Sequence, residues 1–146
     1  MPSTPYPCIW FEQEAHEAAA YYCRIFPNSE ILSSNPMAVV FSLNGARYMT
    51  LNGGPKGTFN ESVSFVITCD TQEEIDHYWN SFTLDGGEEG RCGWLKDKYG
   101  VSWQVVPSIL GKLMGDPEKA PKAMYAFMQM KKFDIAKLIE STHTNA

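Results

Sequence analysis

The chain has 146 residues, 44% of them hydrophobic, and a net charge of −5. That length can bury the core of one domain without metal or disulfide staples, and the acidic balance sets aside nucleic acid and anionic membrane surfaces as partners. No apolar run approaches the roughly 20 residues that a membrane-spanning helix needs. The opening Met-Pro-Ser-Thr-Pro-Tyr-Pro has neither the basic nor the apolar region of a secretory leader, so the expected compartment is the cytoplasm. Cys8, Cys23, Cys69 and Cys92 are scattered with no Cys-x-x-Cys pair, which predicts four free thiols and no zinc knuckle or redox motif.

Residues 8–11 read as a short buried strand. Ala15, Ala18, Ala19, Tyr22 and Phe26 then fall at helical spacing and give one apolar stripe, ended by Pro27-Asn28-Ser29. Strands are predicted over 31–33, 38–43 and 47–51, divided by Asn35-Pro36 and by Asn44-Gly45. The glycine-rich stretch 52–57 lacks a phosphate-loop pattern and a following helix, and reads as a linker between two halves.

The second half repeats the first. A strand over 62–69 leads to Asp70 or Thr71 as helix cap, with Glu73-Glu74 at the positive end of the helix. The stripe of Ile75, Tyr78, Trp79 and Phe82 matches Ala15, Ala18, Ala19 and Tyr22 position for position. Asp85-Gly86-Gly87 closes this helix, and 91–107 supplies the last strands, with Asp97-Lys98-Tyr99-Gly100 as the turn of a tight hairpin.

The predicted class is α+β: two βαβββ modules, over about 6–52 and 60–107, forming a curved mixed sheet around a cavity within one domain spanning 1–146. A helical tail follows over 108–141. Asp116-Pro117-Glu118 starts a helix with the stripe Ala120, Met124, Phe127 and Met128, and Asp134 caps a last helix carrying Ile135, Leu138 and Ile139. Whether this tail covers its own sheet or that of a partner subunit stays open at this level.

Alternation along the last strand puts Val101, Trp103 and Val105 on one face and Ser102, Gln104 and Val106 on the other. Gln104 is therefore the polar group expected to look into the cavity, either to orient a ligand through its amide or as a satisfied polar group. Ser62 and Ser64 share that inward face from the equivalent strand. Asn52 either donates to a ligand or makes an Asx turn. Cys92, between Arg91 and Trp94, is a reactive thiolate or a plain buried thiol. Trp94 is the expected pocket wall, whereas Trp103 belongs to the core and Trp10 is a further aromatic candidate. His16 and His77 fall on the helices away from the inner face, and His143 lies in the tail.

The duplicated pattern, with Tyr21-Tyr22-Cys23-Arg24-Ile25-Phe26-Pro27-Asn28-Ser29 ending its first helix and Asp97-Lys98-Tyr99-Gly100-Val101-Ser102-Trp103-Gln104 near its end, resembles the vicinal oxygen chelate superfamily of glyoxalases, bleomycin-resistance proteins and extradiol dioxygenases. More narrowly it resembles the PhnB-like branch, which carries a 3-demethylubiquinone-9 3-methyltransferase label. The resemblance implies a divalent metal held by four strands. Carried onto this chain, the ligand positions fall at about Pro7, within 46–52, at about Ser62 and at Gln104. Only Gln104 could coordinate, and one amide is a poor anchor for a divalent ion. The functional expectation is a metal-free protein without cofactor that binds a small molecule. The alternative is a small-metabolite enzyme with an atypical metal site or Cys92 chemistry. The resemblance also implies a homodimer.

Overall fold

A computed structural model describes residues 3–143. The chain divides after Thr58 into two compact units. Unit one contains β1 (Cys8–Phe11), α1 (Ala15–Ile25), β2 (Ser29–Ser34), β3 (Ala38–Leu43) and β4 (Ala46–Asn52). Its four-stranded sheet has the order β1-β4-β3-β2, with β1 parallel to β4 and the other pairs antiparallel. A parallel pair needs a long crossover, here supplied by α1 and the β2–β3 hairpin.

The stripe on α1 does what its spacing predicts. Ala15, Ala18, Ala19 and Tyr22 are all fully buried, and the three alanines let the helix backbone lie close on the sheet. Tyr22 stacks on Phe41 of β3 with ring centroids 6.3 Å apart. Asn44 and Gly45 both take positive φ, 50° and 90°, the backbone of a two-residue hairpin turn joining β3 to β4.

Unit two begins with β5 (Ser64–Cys69), α2 (Gln72–Thr83), β6 (Glu88–Glu89), β7 (Trp94–Lys96) and β8 (Ser102–Pro107). Its sheet order, β5-β8-β7-β6, repeats the first, with β5 parallel to β8. The repeat inferred from the two stripes is thus a repeat of topology. Thr71 caps α2, its hydroxyl accepting from the Glu74 amide at 3.1 Å, and Ile75, Tyr78, Trp79 and Phe82 are buried beneath the helix. The second strand of the module is the two-residue β6, lying ahead of the 91–107 stretch expected to carry the last strands.

The tail differs from expectation in two respects. A short helix, α3 (Leu110–Met114), precedes α4 (Ala120–Phe127), and α4 starts two residues after Glu118 because Asp116 turns the chain first, accepting from the amides of Glu118 and Lys119. On α4 the fully buried residue is Ala123, while Met124 and Met128 are exposed, so the Met stripe is not the face that packs inward. The last helix, α5 (Ile135–Ser141), is capped by Asp134 as predicted, with Leu138 fully buried.

The tail packs on its own unit. The amides of Cys92 and Gly93 donate to the carbonyls of Met130 and Lys131, each at 2.8 Å. Gln72 of α2 donates to the Phe133 carbonyl at 2.9 Å and accepts from the Ile135 amide at 2.8 Å, and Lys132 bonds Asp76 at 3.0 Å. All four cysteines are free. No helix among the described residues is long and apolar enough to cross a membrane.

Candidate functional site

One face of the second sheet is covered by α2. Trp103, Val105 and Leu95 point into that core, and Trp103 stacks on Phe82 at 5.0 Å. The other face carries Ser102, Gln104 and Val106 from β8, Ser64 and Val66 from β5, and Trp94 and Lys96 from β7. Gln104 sits at its centre, with Val66 directly across on one side and Trp94 directly across on the other. Side chains paired in this way lie within reach of one another.

Gln104 is half-buried, and its amide nitrogen donates to the Ser64 hydroxyl at 3.0 Å. The structure therefore brings Gln104, Ser64 and Trp94 onto one face. It does not bring Ser62 to them. β5 begins only at Ser64, because the side chain of Asn60 accepts from the Ser62 amide at 2.8 Å and folds residues 61–62 into an exposed turn.

Asn52 directs its side-chain oxygen to a distant helix rather than into an Asx turn. That oxygen accepts from the Ala15 amide at 2.9 Å and so caps α1, whose own N-cap residue, Glu14, makes no side-chain bond to the helix. Trp10 is likewise engaged, its indole N–H donating to the Pro55 carbonyl at 2.9 Å. His16 bonds the Asn35 carbonyl at 2.8 Å from an exposed position, and His77 is exposed beside the Tyr78 ring.

Cys92 sits in the turn between β6 and β7 with φ at 56°, a left-handed conformation rare outside glycine. Its thiol contacts the Met128 thioether at 3.9 Å. The residue that sequence reasoning missed is Asp97. Placed in the predicted turn, it is almost fully buried, with one oxygen accepting from the Tyr99 and Val101 amides and the other from the Trp103 indole at 3.0 Å. Its signal was an Asp opening a Gly-ended turn six residues before a core Trp.

The metal that the superfamily implies does not fit the residues present. Among the described residues no group of three or more His, Cys, Asp or Glu side chains is placed to hold an ion. Of the four carried positions, Pro7 has no side-chain donor, 46–52 holds no His, Asp or Glu, Ser62 lies in the exposed turn, and Gln104 offers only the oxygen of one neutral amide.

Two open mixed sheets in a duplicated βαβββ topology define a protein of the vicinal oxygen chelate, or glyoxalase, superfamily. Within it the chain belongs to the family described as 3-demethylubiquinone-9 3-methyltransferase, whose profile matches residues 4–106. Among solved structures it is similar to the PhnB protein of Bacillus cereus, which carries the same methyltransferase label. The two are 29% identical with a TM-score of 0.65, over 73% of this chain and 100% of that one. The manganese- and sulfate-bound fosfomycin resistance protein FosX of Listeria monocytogenes matches with a TM-score of 0.60 and 13% identity, over 79% of this chain and 98% of its own. A glyoxalase-related enzyme from Fulvimarina pelagi matches with a TM-score of 0.53 and 15% identity, over 74% and 91%. At such identities the last two share the fold alone. No functionally curated protein matches the chain significantly.

Proposed function

We propose that the protein binds a small molecule without a metal, on the face of the second sheet that α2 leaves uncovered, with Gln104 as the central polar contact. The observation that carries this reading is the half-buried Gln104–Ser64 hydrogen bond set beside Trp94. It offers a polar group fixed in orientation next to an aromatic wall, the usual composition of a small-molecule site. The methyltransferase label adds no activity here. The usual cofactor-binding methyltransferase has a doubly wound parallel sheet with a glycine-rich turn after its first strand, whereas each sheet of this chain has a single parallel pair. The two modules serve one domain in this reading, and its compartment is the cytoplasm.

The test is a thermal-shift screen of small metabolites run in parallel on wild-type protein and Gln104→Ala. A compound that raises Tm of the wild type but not of the variant supports the reading. Equal shifts in both proteins overturn the assignment of Gln104. Near-stoichiometric manganese, nickel, zinc or iron in protein purified without chelators overturns the metal-free part.

The enzymatic reading has one observation on its side, the strained backbone of Cys92, since such strain gathers at functional sites. Against it, the thiol meets a thioether, which is no base. We also propose a homodimer, supported by the exposed Met124, Tyr125 and Met128 on α4. Light scattering on the eluting peak, giving either the 16.4 kDa monomer mass or twice that, decides it.

A further inference from the structure

Beside Gln104, toward the β6 edge of the same face, lies a cleft of about 390 Å³. That volume is at the lower end of small-molecule sites, which span roughly 300–1,000 Å³. Trp94, Lys96 and Ser102 line it from the strands, Glu61 from the turn ahead of β5, and Glu88 and Arg91 from β6 and the turn that follows. Ser102 is 1% exposed, and its hydroxyl has no hydrogen-bond partner among the described residues. A buried hydroxyl in that condition has lost water and gained nothing, so any ligand oxygen reaching it is favoured.

The strand register fixes what can reach it. Trp94 pairs with Gln104 and Lys96 with Ser102, so Trp94 and Ser102 are diagonal neighbours on one face. Such neighbours stand about 7 Å apart. Once the flexible Lys96 side chain, paired with Ser102 across the strands, swings aside, a flat ring resting on the half-buried indole can place an atom of its rim at the Ser102 hydroxyl.

The charges of the cleft are matched internally. Glu61 pairs with Lys96 at 2.9 Å, while Glu89 accepts the Trp79 indole at 3.0 Å and lies 3.9 Å from Lys131. Glu88 also lies within electrostatic reach of Lys96, and both Glu88 and Arg91 are exposed. An ionic ligand would find no unpaired partner in the interior of the cleft and would give up its own hydration.

We infer that this cleft binds a small neutral aromatic molecule bearing one hydroxyl or carbonyl oxygen, stacked on Trp94 and hydrogen-bonded by Ser102. The inference rests on the reading of this face as a binding surface and names the class of ligand it takes.

The experiment is a titration of isotope-labelled full-length protein, followed by amide and indole NMR shifts, with 2-naphthol, naphthalene and 2-naphthoate as probes. Binding of 2-naphthol should shift Ser102, Lys96 and the Trp94 indole, and should be about fivefold to tenfold tighter than binding of naphthalene. Ser102→Ala should reduce 2-naphthol to the affinity of naphthalene and leave naphthalene unchanged. Equal affinities for the two in the wild type overturn the role of Ser102 without recourse to any variant. Tighter binding of 2-naphthoate overturns the neutral class. Shifts at Gln104 and Ser64 that spare Ser102 overturn this cleft while the broader reading of the face survives, and shifts nowhere on the face overturn the cleft as the aromatic site.

Discussion

The carboxylate of Asp97 and the indole of Trp103 meet at 3.0 Å inside the core of the second unit. The loop between β7 and β8 is thereby tied to the helix-facing side of β8, and Trp103 is held flat against Phe82. Every residue on the opposite face of β8, Ser102 and Gln104 included, takes its position from that anchoring.

Asp97→Ala should therefore be among the most damaging single changes in the chain. It strands the Trp103 indole and the amides of Tyr99 and Val101 in a buried setting. At about 1–1.5 kcal/mol for each of the three bonds, the expected loss is about 3–4 kcal/mol. Urea unfolding measures it, and a loss under about 1 kcal/mol would show that water takes over the three donors.

Asn52→Ala removes the cap that α1 receives from the end of β4. The expected cost is about 1 kcal/mol. Helix capping predicts that Asn52→Asp, which keeps the acceptor oxygen, restores most of the loss. A ligand-contact role would instead leave stability unchanged in both variants.

Cys69 reports on pH. Burial, with Glu74 and Asp70 adding repulsion, pushes its thiol from the usual 9.0 up to about 12. In the folded protein the thiol keeps its proton where the unfolded chain has lost it, so its contribution is intact below about pH 9 and disappears as pH rises toward 12. Replacing Cys69 with Ala should flatten the alkaline fall in stability across that window. In native protein Cys69 should stay silent toward a thiol reagent at pH 8 while exposed Cys8 reacts.

Gly93→Ala tests how tightly the tail is held. Gly93 takes φ at 83°, and a Cβ there would stand 2.6 Å from the Phe133 ring and 2.7 Å from the Val105 carbonyl. Backbone on one side and a fully buried ring on the other leave no room to yield, so a loss of about 2 kcal/mol or more is expected. Protease cleavage after Met130 should appear in the variant before it appears in wild type.

What the sequence disclosed was whatever one segment could write by itself. The matching stripes on α1 and α2, the Asn44-Gly45 turn and the alternation along β8 are local patterns, and each stood in the structure where periodicity put it. What stayed hidden depended on distant partners or on very short elements. Asn52 serves a helix whose first residue is 37 positions away. β6 has only two residues, too few to show a period. Met124 and Met128 had the spacing of a buried stripe, but spacing cannot say which side of a helix finds a neighbour. Of the proposed site, the common face of Gln104, Ser64 and Trp94 was legible because alternation and strand register decide it. Ser62 was misplaced because the side chain of Asn60 ended the strand early.

The family match stops at residue 106, yet the folding unit continues well past it. A chain cut at that point would lose only the last residue of β8 from its strands, while baring the Gln72 amide, the N–H groups of Cys92 and Gly93, and the apolar surface beneath Phe133 and Leu138. Residues 107–143 are thus part of the wall rather than an attachment to it, and a minimal fragment should be drawn from the hydrogen bonds of the tail instead of from the limits of the family match.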